Sequence, residues 1–251
     1  ADQAVIFKRK HNWLMCWLYL GTFGSFIGYS AGFPMLIKSQ FPGVNALSYA
    51  WMGPLVGALI RPLGGWLSDK LGGASVTFWN FIAMGLGVLA VLHFLPDHAG
   101  QGGSFAGFLG AFLVLFATSG IGNGSTFRMI PVIFLTERTR AAQAGIGATA
   151  DAAPGRPKQV GSPLGGRAPL AAPGGAMEQA VKDANKEAAA VLGFSSAIGA
   201  YGGFFIPKSY GTSISMTGGP EAALYCFLVF YATCVAVTWW FYSRKNAPMP
   251  C

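Results

Sequence analysis

Six long apolar runs, separated by short polar stretches, set the pattern of the chain: Trp13–Ile37, Ala46–Leu67, Val76–Leu95, Phe105–Leu135, Ala188–Ile206 and Ala222–Tyr242. Each is close to the roughly 20 residues that an α-helix needs to cross about 30 Å of hydrocarbon. In lipid every backbone polar group must be satisfied within the segment, so runs of this length read as transmembrane helices. The pattern predicts an all-α integral membrane protein built as a six-transmembrane-helix bundle. One stretch, Glu137–Glu187, breaks the rhythm with Ala, Gly and scattered prolines at Pro154, Pro157, Pro163, Pro169 and Pro173. Lacking large apolar groups, it cannot bury enough surface to fold alone, and Ala141–Gly175 reads as a mostly disordered linker. From Met177 the composition turns helical, with Glu178 and Lys182 four apart in the favourable orientation. The chain therefore divides into residues 1–136 (four membrane helices), 137–187 (linker) and 188–251 (two further helices and a tail).

Composition agrees, with 53% hydrophobic and 10% charged residues and a mean hydropathy of +0.46, where soluble domains carry about 25% charged residues. The net charge of +8 is then a topology signal before it is a nucleic-acid one, and no nucleic-acid partner is expected. Lys8, Arg9, Lys10, Lys70, Arg138, Arg140, Arg156, Lys158, Arg167, Lys182, Lys186, Arg244 and Lys245 collect on one side, against Lys38 and Lys208 on the other. Lysine and arginine mark cytoplasmic loops, so both ends of the segment and the linker are expected in the cytoplasm, the helices in the bacterial inner membrane. Cys16, Cys226, Cys234 and Cys251 form no CxxC, and the 3 histidines sit at span ends; neither a metal site, a haem pair nor another cofactor is expected. The chain opens at Ala1 with a basic segment leading straight into a span, which reads as a piece of a longer protein.

Arg61 is the residue that most needs an explanation. It lies in an apolar run with no acidic residue within a helical turn or two, the nearest being Asp69. An arginine at membrane depth faces a bundle interior or an aqueous cavity, because exposure to hydrocarbon costs several kcal/mol. Its partner is either a substrate anion or helix-end carbonyls and a carboxylate from elsewhere. Tyr19 and Phe23 stand four apart on one face of the first span. In the fourth span Gly120, Gly122 and Gly124 alternate around Asn123. Glycine weakens a helix by roughly 1 kcal/mol relative to alanine, a cost expected where the backbone comes close to something. Arg128, further along, is expected to snorkel to the surface. Gly193, Ser196, Gly199 and Gly203 share a stripe of the fifth span. GxxxG spacings at Gly24/Gly28/Gly32, Gly53/Gly57, Gly120/Gly124 and Gly199/Gly203 allow close helix packing or a rocking bundle. All 9 carboxylates lie outside the span centres, so a cation pathway is disfavoured and an anion pathway favoured. With no metal cluster or nucleophile–base pairing, an enzyme is not expected.

The loop RPLGGWLSDKLGG, Arg61–Gly73, between the second and third spans, resembles the GxxxD-(R/K)-xGG-type loop found between helices of major facilitator transporters, which implies Asp69, Gly65 and Gly72 as a conformational latch. LYLGTFGSFIGYSAGF, SGIGNGSTFRMIP and LGFSSAIGAYGGFFIPKSYG narrow the resemblance to the C-terminal half of the bacterial nitrate/nitrite transporter family. That resemblance implies helices seven to twelve of a twelve-helix transporter, lacking its N-terminal six-helix half. It implies nitrate or nitrite carried by alternating access, through exchange or proton symport. It also implies an anion site with Arg61 as the second-half arginine, Tyr19 as hydrogen-bond donor and Phe23 as aromatic wall. Gly193 would open the family's second glycine-rich signature, with Ser196 beside it, and Asn123 stands where some relatives carry serine. The alternatives are a transporter of another small monovalent anion and a non-transporting scaffold or assembly subunit with a purely structural Arg61.

Overall fold

The computed structural model describes residues 6–96, 102–151, 174–249 and 251. Among these the chain is helical with no strands. Helix α1 covers Lys10–Gln40, with one wider π turn at Leu20–Gly24. A single turn at Ala46–Tyr49, capped by the Asn45 side chain on the Leu47 amide (3.2 Å), leads to α2, Met52–Leu71. Then come α3, Gly73–Phe94, α4, Phe105–Asp151, α5, Gly174–Ala200, and α6, Gly202–Thr217. Helix α7, Glu221–Thr238, runs on into a second π turn at Trp239–Ser243.

Five helical stretches are long and apolar enough to cross a membrane: Lys10–Gln40, Gly73–Phe94, Phe105–Ala141, Glu178–Thr217 and Glu221–Ser243. The all-α membrane bundle is thus present, while the count of six spans is corrected to five by this measure. The segment read as the second span forms α2, a helix of 20 residues, but Arg61 and its two prolines and four glycines hold its hydropathy down. The fourth helix continues beyond Leu135 to Asp151, into the stretch expected as linker; residues 152–173 lie outside the described residues. The fifth run breaks at Tyr201, where Gly199, Gly202 and Gly203 weaken the helix and Pro207 withholds the amide that would bond the Gly203 carbonyl.

Small residues decide how the helices meet. A Cβ on Gly120 would land on the Gly57 carbonyl, one on Gly64 on the Ile121 carbonyl, and one on Gly124 on the Arg61 carbonyl. Helices α2 and α4 are therefore in backbone contact. On the other side of the bundle a Cβ on Gly202 would meet the Gly24 carbonyl, and one on Gly28 would lie 2.6 Å from the Gly202 carbonyl oxygen. The repeated GxxxG spacings make both contacts possible. Between them lies an aromatic core in which Phe33, Phe108, Phe112 and Phe116 are fully buried, with Phe33 and Phe112 centroids 4.9 Å apart.

The two ends of the bundle differ in chemistry. Lys10 lies against Phe241, 4.4 Å from its centroid, His11 is 3.0 Å from the Tyr242 hydroxyl, and the Ala74 amide donates to the Cys251 carbonyl at 3.1 Å. Arg9 pairs with Glu137 at 3.0 Å. These contacts gather the start of α1, the α2–α3 turn, the far part of α4 and the chain tail at one basic end. At the other, Tyr49 packs on Phe105 with centroids 4.9 Å apart, and the Ser104 amide donates to Phe94 at 3.0 Å.

Candidate anion site

Arg61 sits midway along α2 and is half-buried. Its guanidinium carbon lies 6.0 Å from the Phe23 ring centroid and 5.9 Å from that of Phe127. Two aromatic rings, one from α1 and one from α4, thus flank the cation within cation–π range. Among the described residues no carboxylate pairs with Arg61, while Asp69 is engaged elsewhere. Among the described residues the Arg61 guanidinium has no hydrogen-bond acceptor, so its five N–H donors are left for a ligand or water.

Tyr19 is 1% exposed and its ring lies 5.3 Å from Phe23 at a 33° tilt. The wall is held from behind by α5, since a Cβ on Gly199 would come within 2.8 Å of the Phe23 ring and 3.4 Å of the Tyr19 ring. Tyr19 and Arg61 therefore meet through Phe23, in one continuous group. Phe127 completes it and was not singled out from the sequence. A lone phenylalanine in an apolar run carries no signal there, although it stands three residues after Gly124, whose face meets Arg61.

Asn123 is buried on α4, 1% exposed, and its Oδ1 has no partner among the described residues. A buried amide oxygen left unpaired costs about 1–3 kcal/mol, which fits a position next to water or ligand. The glycines on either side of it face different neighbours: Gly120 and Gly124 touch the α2 backbone, whereas a Cβ on Gly122 would strike the Asn80 amide of α3 and lie 2.6 Å from the Thr22 methyl. Thr22 and Thr126 tie α1 to α4 through their hydroxyls at 3.1 Å. Ser196 is half-buried and Gly193 is exposed, with open space where a Cβ would stand. Neither is joined to the Arg61 group by a described contact; between them Ser195 is fully buried and lies 3.4 Å from the Cys16 sulfur.

At the basic end, Arg128 does not simply reach to the surface. Its Nη2 and Nε donate to Asp69 Oδ1 at 2.6 and 2.8 Å. Gly72 ends α2 at φ +84°, a backbone that L side chains rarely adopt. Gly65 merely adjoins the Arg128 stem, 4.0 Å away, and close packing falls to its neighbour Gly64. A second ionic group was not foreseen: Glu187 of α5 accepts from Arg138 of α4 and from Arg9 at 3.4 Å, and Arg9 also donates to Glu137. Sequence separations of 49 to 178 residues leave no local pattern that announces it.

An apolar helical bundle with a cation flanked by aromatics, and no carboxylate beside it among the described residues, describes a membrane protein with a candidate anion site. The 251 residues are 46% identical over 246 residues to the nitrate/nitrite transporter NarU of Escherichia coli (strain K12) and equally to that of Salmonella typhimurium, covering 98% of this chain and 47% of each relative. The probable nitrate/nitrite antiporter NarK2 of Thermus thermophilus is 35% identical over 255 residues, 100% of this chain and 46% of its own length. No protein-family model matches the chain. The chain is thus similar along nearly its whole length to proteins named as nitrate/nitrite transporters, the resemblance its motifs carry, and it spans about half the length of the curated relatives it matches.

Proposed function

We propose that this chain forms the C-terminal half, helices seven to twelve, of a major facilitator transporter that moves nitrate or nitrite across the bacterial inner membrane. The observation that carries the proposal is Arg61, flanked by Phe23 and Phe127 and free of any carboxylate among the described residues. Nitrate is planar, and a guanidinium fork can donate to two of its oxygens at once. The Tyr19 hydroxyl would supply a neutral donor, Asn123 would offer its Nδ2–H, its unpaired Oδ1 being an acceptor suited to water and not to the anion, and the aromatic faces disfavour bulkier, tetrahedral anions. Gly199 of α5 backs the aromatic wall, while Gly193 and Ser196, which no described contact joins to Arg61, would belong to the glycine-rich signature further along the anion path. The N-terminal half would bring the rest of the site, and alternating access would be the rocking of one half against the other around a midplane anion. Asp69 with Arg128 would serve as the cytoplasmic latch, Gly65 and Gly72 shaping its turn. The lysine/arginine asymmetry supports both ends of the segment, and residues 137–187, on the cytoplasmic side.

The test is Arg61→Lys in the full-length protein, which keeps the charge and removes the planar fork. Nitrate affinity in proteoliposomes should fall at least about tenfold, close to 1.4 kcal/mol, at unchanged expression. Tyr19→Phe should cost less, about 0.5–1.5 kcal/mol for one neutral hydrogen bond. Unchanged affinity in Arg61→Lys would leave Arg61 a structural charge and end this reading.

A further inference from the structure

Around Lys10 and Arg244 the basic end carries a second arrangement of cations and rings, apart from the Arg61 group. Helix α1 begins at Lys10, and α7 ends in the π turn Trp239–Ser243 directly beside it. The Lys10 ammonium stands 4.4 Å from the Phe241 centroid, and the Arg244 guanidinium 4.4 Å from that of Trp240. Lys245 is exposed next to them. Arg9 is engaged by Glu137 and Glu187, whereas Lys10, Arg244 and Lys245 have no carboxylate partner among the described residues. Arg244 also keeps a buried Nε without an acceptor.

The cluster is preorganised rather than frayed. The Arg244 amide closes the π turn on the Trp239 carbonyl at 3.2 Å, and the Met249 amide returns to the Phe241 carbonyl at 3.2 Å. His11 holds Tyr242 by a 3.0 Å contact to its hydroxyl, and Arg140 donates to the Pro248 carbonyl at 3.4 Å. Toward the membrane interior, Tyr225, Val229, Ala232, Ala236 and Trp240 form an exposed apolar stripe along α7 that ends at these cations. Tryptophans at a span end sit at headgroup level, and Trp239 and Trp240 are 47% and 52% exposed.

We propose that Lys10, Arg244 and Lys245, with the rings of Trp240 and Phe241, bind the phosphate of an anionic glycerophospholipid whose acyl chains lie along the Tyr225–Trp240 stripe. The occupant is a lipid because charge and apolar surface meet at the depth where a phosphate headgroup joins its chains. Basic residues at a membrane surface each add about fivefold to such binding, from about 1 kcal/mol apiece. The cation–π contacts fix the cations in place, so little side-chain freedom is lost on binding.

Native mass spectrometry of the full-length protein, titrated with phosphatidylglycerol or phosphatidylcholine, tests this. The wild type should retain phosphatidylglycerol preferentially, and the double variant Lys10→Gln/Arg244→Gln should bind the first such lipid about 25-fold more weakly. Lys245→Gln, a change to an exposed side chain that leaves the fold intact, should cost about fivefold. Lys38→Gln/Lys208→Gln, at the sparsely charged end, should change nothing, and inorganic phosphate should not compete. Equal retention of both lipids, wild-type affinity in Lys245→Gln and the double variant, or displacement by inorganic phosphate would overturn the proposal.

Discussion

The carbonyl oxygen of Arg61 occupies the place where a side chain on Gly124 would begin. The residue whose guanidinium faces two aromatic rings thus has its backbone pressed against the neighbouring helix, with no atom to spare between them. Gly57 against Gly120 and Gly64 against Ile121 extend this contact along the same pair of helices. Arg61 is held by its main chain and leaves its side chain to the two rings.

Gly124→Ala should therefore destabilise the bundle by about 1–3 kcal/mol, because overpacking moves backbone rather than a flexible side chain. Gly110 of the same helix is exposed with open space around it, and Gly110→Ala should be neutral or stabilise by up to about 1 kcal/mol. Thermal unfolding in detergent compares the two. A Gly124→Ala protein as stable as Gly110→Ala would contradict the packing described here.

Arg128 and Asp69 are half-exposed, with side chains 56% and 51% accessible, so their pair should contribute no more than about 1 kcal/mol to stability. As the proposed latch, the pair would act on the balance between conformers instead. Arg128→Gln should leave the unfolding temperature nearly unchanged yet slow nitrate uptake, and Asp69→Asn should do the same. The double variant should be no worse than either single one. Additive losses in uptake across that cycle would mean that the two side chains act separately.

Glu187 is 9% exposed and serves both Arg9 and Arg138. Glu187→Gln leaves Arg138 without a charged acceptor and Arg9 with Glu137 alone, and should lower stability by about 1.5–3 kcal/mol. Glu178, whose partner Lys182 lies four residues on at an exposed position, offers the contrast: Glu178→Gln should cost no more than about 0.5 kcal/mol. Urea or thermal unfolding of the two variants side by side decides the matter.

Much of this was legible along the chain. Apolar runs announced the helices, because nothing else satisfies a backbone in lipid, and α7 begins and ends within a residue of its expected limits. Arg61 stood out because a charge in such a run demands a partner. Helical spacing put Tyr19 and Phe23 on one face, and the resemblance, not the spacing, set that face beside Arg61. Phe127 gave no such signal, since a phenylalanine among apolar residues is silent until the fold sets a cation beside it. Helix α2 misled for the same physical reason that made it interesting: the glycines that let it touch α4, and Arg61 itself, take away its lipid-facing apolarity. The Glu187 group was out of reach because it is assembled across three helices from distant stretches of sequence.

The wider turn at Leu20–Gly24 acts as a phase shift in α1. On its near side stands Tyr19, on its far side the stripe Gly24–Gly28–Gly32 that faces α6 and Tyr210. An added or removed residue turns everything beyond it by about 100° around the helix axis. Restoring a regular helix by deleting one residue here would swing either the aromatic wall off Arg61 or the glycine stripe off its neighbour. Both halves of one helix are in register with their separate tasks only because the turn between them is out of register with an ordinary α-helix.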